Sequence, residues 1–207
     1  MRLGLLVCLL AAWALMAQVP VEQEPDHHAT FHNEALYVLE PMFPPGHTTL
    51  EHLHRYDSVT VCIQGSVMRA KSPGGEFGEG RQLCQPGGVS INEYAGKPSS
   101  HTVQNVGPVA THLRLIENVR EGSWTTFPPV AAAGLKMTRE SRAFRSYDLE
   151  PGSAAHAHPV PTIVVLISGE ASTSGEKLDR AGAAVYIPAG QTHQVTGGGK
   201  VVEVEVR

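Results

Sequence analysis

The feature that most constrains this chain is that it carries one pattern twice. Residues 44–65 read PPGHTTLEHLHRYDSVTVCIQG, and residues 151–169 read PGSAAHAHPVPTIVVLISG. Each copy runs from a Pro-Gly turn through small or polar residues to His-x-His, then into a β-branched apolar run that ends at glycine. The interval from the second histidine to that glycine is identical, His54 to Gly65 and His158 to Gly169. Farther on, each copy reaches another histidine through a glycine-rich approach: GGVSINEYAGKPSSHTVQN, ending at Asn105, and GAAVYIPAGQTHQVTG, ending at Gly197. Such duplication means two copies of one structural unit, and 207 residues are enough for two small domains.

The units are expected at residues 30–122 and 137–207. Residues 18–29 form an N-terminal arm, loose or bound to an edge. Residues 123–136, with a Pro pair and an Ala-rich stretch, form a connector with a turn of helix at its end. Strand signals dominate elsewhere. DSVTVCIQG, TIVVLISG, AAVYIPAG, THLRLIENV and KVVEVEV are β-branched and bounded by Gly or Pro. The VVEVEV run alternates as a strand with one wet face should. No segment sustains a 3.6-residue apolar period, so the chain is expected to be all-β.

Residues 1–17 read as a signal peptide. Arg2 supplies the positive start, Leu3 to Ala17 is almost wholly apolar, and small residues allow cleavage after Ala14 or Ala17. The run of about 15 residues is short of the roughly 20 that span a bilayer. Cys8 within it lacks the preceding small residue of a lipoprotein signal. The mature protein is therefore expected outside the cytoplasm, periplasmic or secreted, with no membrane attachment. Cys62 and Cys84 remain; they either pair or stay as separate buried thiols. The net charge of −4 has no basic run behind it, which leaves nucleic-acid binding without a basis.

The eleven histidines matter more for their placement than for their number. On a strand, residues i and i+2 share a face, so His52 projects with His54 and His156 with His158. His101 and His193 can complete two trios of neutral imidazoles. Such ligands suit Fe, Mn, Ni, Cu, Co or Zn and leave positions open for water or substrate. His27, His28, His32, His47 and His112 are read as solvated or core-edge residues.

These residues resemble the cupin superfamily, and their duplication resembles a bicupin. The family's first motif, Gly, His-x-His, Glu and a closing Gly, maps onto Gly46, His52, His54 and Gly65, and onto Gly152, His156, His158 and Gly169. The second motif, Pro-x-Gly-x-x-His with a trailing Asn, matches Pro188, Gly190 and His193, with Gly197 in place of the Asn. In the first unit Tyr94 replaces the Pro, Gly96 is kept, two extra residues precede His101, and Asn105 is retained. The resemblance implies two tandem jelly-roll β-barrels with a metal inside each. It departs in one respect. The family's Glu ligand falls at Ser58 and Thr162, and the adjacent Asp57 should point outward, so each site reads as three histidines without a carboxylate. Some cupin dioxygenases are built that way, by the same resemblance.

Two functions from different classes follow. One is a metal-dependent dioxygenase acting on a small organic molecule. The other is a non-catalytic module that captures a metal or a small ligand. A sugar isomerase, epimerase or lyase ranks third, because it needs an acid or base in the pocket, and beside the histidines only Tyr56, Tyr94, Ser58 and Thr162 are on offer. The loop MRAKSPGGEFGEGRQLCQPGG (residues 68–88) reads as an exposed hairpin or as a lid. A two-barrel chain can satisfy cupin-type pairing within itself, as a monomer, or form a homodimer.

Overall fold

The computed structural model describes residues 18–120, 126–150 and 152–207. The expected signal peptide and part of the connector lie outside the described residues. The first unit contains β1 (Val19–Pro20), β2 (His27–His32), β3 (Leu36–Phe43), β4 (His52–His54), β5 (Asp57–Gln64), β6 (Val67–Lys71), β7 (Arg81–Gln82), β8 (Val89–Asn92), β9 (Ser99–Asn105) and β10 (Thr111–Asn118). The second contains β11 (Leu135–Glu140), β12 (Phe144–Leu149), β13 (Thr162–Ser168), β14 (Ala171–Thr173), β15 (Glu176–Leu178), β16 (Ala184–Ile187), β17 (Thr196–Gly197) and β18 (Lys200–Val206). Among the described residues the only helical element is a 3₁₀ turn at Val21–Gln23. The turn of helix expected at the end of the connector is absent there: strand β11 begins at Leu135.

The duplication is legible in the hydrogen bonding. One sheet runs β2-β3-β10-β5-β8, and its counterpart runs β11-β12-β18-β13-β16 in the same order. Opposite the first lies β1-β4-β9-β6-β7, and opposite the second the shorter β15-β14-β17. This is two jelly-roll barrels in tandem, as expected. Gly46 and Gly152 both sit at φ +80°, the left-handed region that glycine enters without steric cost, so both copies turn alike before their His-x-His.

Register aligns the copies residue by residue. Glu117 of β10 faces Ser58 of β5, and Glu205 of β18 faces Thr162 of β13. Two steps along, Leu115 faces Thr60, and Glu203 faces Val164. Leu115 and Glu203 therefore occupy the same place in the two barrels, as do Glu117 and Glu205.

The two long sheets pack against each other. Val59, Val61 and Ile116 from one barrel join Ile163, Val165, Val202, Val204 and Val206 from the other in a single core. Ion pairs border this apolar seam. Glu40 takes Arg114 at 2.9 Å and Arg180 of the other barrel at 2.6 Å, while Arg142 holds buried Asp57 at 2.8 Å. Asp57 thus points away from its own barrel interior, as strand alternation required.

The seam corrects the reading of VVEVEV. The alternation holds, but its polar face is not wet: Glu203 and Glu205 are 0% and 1% exposed. Val202, Val204 and Val206 face the neighbouring barrel, which leaves the two glutamates pointing into their own, beside Val201.

Candidate metal centres

In the first barrel, β4 and β9 pair antiparallel with His52 opposite His101, and His54 lies one alternation along the same face. Ring centroids are 4.6 Å apart for His52–His101, 4.9 Å for His54–His101 and 5.1 Å for His52–His54. One ring nitrogen from each lies within 4.8 Å of the others, close enough to share an ion. His52 donates its Nδ1–H to the Leu50 carbonyl at 3.0 Å, and its buried Nε2 has no partner. Burial, then the charge of neighbouring imidazoles, pushes His52 and His101 down to about 4 and His54 to about 2. All three are neutral at pH 7, the state a metal requires of its ligands.

These histidines sit at a cavity of about 490 Å³. Its wall is largely apolar, with Phe43, Met68, Val103, Leu113 and Leu115, and its polar groups include Ser58, Asn92 and Tyr94. Tyr94 stacks on His54 at 5.0 Å. Cys62 and Cys84 form a disulfide (Cα–Cα 6.1 Å) that fastens the end of the 68–88 loop to the cavity wall, and that loop opens with the β6–β7 hairpin. Tyr56, considered as a pocket residue, instead lies beneath the Arg55 guanidinium at 5.2 Å and is not among the residues lining this cavity.

His27 corrects the sequence reading more sharply. Expected to be solvated or at the core edge, it is 4% exposed, lines the cavity, and stands 4.7 Å from the His52 ring. Its Nδ1 is bound to Glu24 at 2.7 Å. Burial works against the Glu24 carboxylate, but His27 and the amides of Asp26 and Leu50 outweigh it and hold the group at about 2. The only available sequence signal was the acid three residues before the histidine. The other histidines outside the trios are as expected: His28 and His32 are exposed, His47 pairs with Asp26 at 2.6 Å, and His112 meets Glu40 at the seam.

The second barrel brings His156, His158 and His193 together, with centroids 4.5 to 5.7 Å apart. Here the expected absence of a carboxylate does not hold. Glu203 reaches across all three rings, with Oε2 2.9 Å from Nε2 of His156 and of His158, and Oε1 2.9 Å from Nε2 of His193. Thr162 stands at the acid's place in the first motif, and the carboxylate comes instead from β18, outside any motif. Surrounding it are Tyr147, Leu149, Val164, Leu166, Ile187 and Val195, a packed interior.

Whether an ion fits here follows from counting protons. His156 donates Nδ1–H to the Ala154 carbonyl at 2.9 Å, and His158 donates Nδ1–H to Glu205 at 2.7 Å. As neutral rings, both then present an Nε2 lone pair to carboxylate oxygens that are also acceptors. Each such contact needs a proton or a cation between the atoms. Without an ion, His158 is best placed to carry a proton: burial opposes this, but Glu203 and Glu205 lift it to about 9. Protonating all three rings would gather several charges in a packed interior, at high desolvation cost. A single divalent ion satisfies all four donors at once, and three imidazoles with one carboxylate suit a first-row transition metal.

No protein-family model matches the sequence, and no curated protein does. Solved structures do. The chain resembles the bacterial pirin YhhW of Escherichia coli at TM-score 0.59 and 13% identity, covering 89% of each chain. It resembles the salicylate 1,2-dioxygenase of Pseudaminobacter salicylatoxidans at TM-score 0.60 and 12% identity, over 90% of this chain and 78% of that one. An oxalate decarboxylase of Bacillus subtilis gives TM-score 0.55 and 15% identity, over 84% and 69%. The fold is that of a bicupin. YhhW has also been solved in complex with nickel(II). The chain therefore has a cavity-bearing first barrel with three open histidines, and a packed second barrel with three histidines and an acid.

Proposed function

We propose that this bicupin is an exported, metal-dependent oxidoreductase of the dioxygenase type, working on a small organic molecule in its first barrel. The observation that carries the reading is the cavity of about 490 Å³ that ends on three neutral, carboxylate-free histidines. His52, His54 and His101 would hold the metal; bound there, it would supply open coordination positions for a chelating substrate and for oxygen. The apolar wall favours a ligand with a hydrophobic body, and Ser58, Asn92 and Tyr94 favour a polar, oxygen-bearing head. The salicylate dioxygenase among its structural relatives acts on a molecule of that description. His156, His158, His193 and Glu203 would hold a second, enclosed ion.

A second reading has one observation in its favour. The His27–Glu24 pair gives the cavity a group able to take or give a proton, which isomerases and lyases need. Oxygen uptake separates the two. Protein loaded with ferrous iron and offered a panel of hydroxylated aromatic acids, diketones and polyphenols should consume oxygen, and His54→Ala should abolish this while keeping one metal per chain. Turnover without oxygen favours proton-transfer chemistry. Stoichiometric metal with no turnover across the panel would leave the protein a binding module.

A further inference from the structure

Among the buried polar groups of the first barrel that lack partners are Nδ1 of His54 and both carboxyl oxygens of Glu117. Glu117 is wholly buried on β10. Buried polar groups are nearly always satisfied, so a donor–acceptor pair orphaned together calls for an explanation.

The duplication supplies it. His54 and His158 are the second histidines of their His-x-His pairs, and register makes Glu117 the counterpart of Glu205. In the second barrel these two are joined: Glu205 accepts Nδ1–H of His158 at 2.7 Å. Glu205 is also held by Arg145 at 3.2 Å and by the Tyr147 hydroxyl at 3.2 Å. The first barrel puts Tyr37 opposite Glu117 on β3, where β12 puts Arg145 opposite Glu205. Leu39 likewise stands where Tyr147 does. Glu117 thus stands in the place of Glu205 without its anchors. The nearby charges of Glu22 and Arg55 are paired with each other. Tyr94, which stacks on His54, lies within electrostatic range of Glu117.

We propose that Glu117 is the positioning residue of the first metal centre, accepting Nδ1–H of His54 when that ring ligates an ion through Nε2. Resting on the metal reading of that barrel, the role is to fix the His54 tautomer and ring orientation. Outer carboxylates of this kind tune a site by raising ligand basicity and limiting ring motion. Glu117 carries none of the contacts that hold Glu205, so both its oxygens are open to accept from a ring nitrogen.

The test uses the full mature chain carrying His158→Ala, so that cobalt(II) reports on the first barrel alone. Removing the acceptor in Glu117→Leu should weaken cobalt binding by about 10- to 100-fold and alter the visible spectrum of the bound ion. Glu117→Gln keeps an acceptor oxygen and should recover most of the affinity. Nitrogen NMR of the zinc form should show His54 Nδ1 protonated and strongly hydrogen-bonded in wild type, and shifted in Glu117→Leu. Thermal melting of each ion-free variant separates loss of fold from loss of affinity. Equal affinity and an unchanged spectrum in Glu117→Leu overturn the proposal. A wild-type first barrel that takes up no cobalt fells the metal reading beneath it, and the proposal falls with it.

Discussion

Replacing Glu203 with leucine would give the second barrel the residue that the first carries at the same place, Leu115. The carboxylate contributes three contacts of 2.9 Å to the imidazoles and, in the loaded form, one of four donors. Structural metal sites with four donors bind with roughly 10–16 kcal/mol, so one donor accounts for about 3 kcal/mol, or roughly two decades of affinity. Glu203→Leu is therefore expected to bind a divalent ion about 100-fold more weakly in that barrel. The assay is a chelator-competition titration in a His54→Ala background, which silences the first site. Its sign is diagnostic. If the carboxylate were a plug competing with the ion for the histidines, its removal would tighten binding. Unchanged or tighter binding in Glu203→Leu would refute the assignment of Glu203 as a ligand. The reciprocal change, Leu115→Glu, should strengthen metal binding in the first barrel while diminishing any oxygen consumption, because it fills an open position.

Three other outcomes follow from the same geometry. Burial opposes the Glu40 carboxylate, but Arg180, Arg114 and His112 hold it at about 2 against an ordinary 4.5, so it contributes about 3 kcal/mol of stability above pH 4.5. That contribution should fade as pH falls from 4.5 towards 2, and acid unfolding of Glu40→Gln, compared with wild type, should lose its difference over that interval. Reducing Cys62–Cys84, or replacing both with alanine, should cost about 3 kcal/mol in denaturant unfolding and loosen the cavity wall, since the bridge closes a loop of 22 residues. Loading the second barrel at pH 7 should release a proton from His158, which is lifted to about 9, whereas the first barrel, with histidines near 4 and below, should release none. Calorimetry in buffers of different ionisation enthalpy reads that proton count.

The sequence by itself determined the duplication, the all-β class and the two histidine trios. Each depends on local rules: glycine at a left-handed turn, alternation along a strand, and a fixed spacing to the closing glycine. Alternation in VVEVEV likewise established that Val202, Val204 and Val206 lie on the face opposite Glu203 and Glu205. It could not say which face is inside, because that depends on what covers the strand. Only the docking of one barrel on the other decides it, by claiming the valines for the seam and turning Glu203 and Glu205 towards the histidines. The same holds for His27, brought to the cavity by an N-terminal segment whose β1 pairs with β4, and for Glu117, whose lack of a partner shows only when its strand neighbours are compared with those of Glu205. Side-chain direction along a strand is set within a few residues. The chemistry a side chain meets is set by strands far away in the chain, and that part of the site belongs to the tertiary structure.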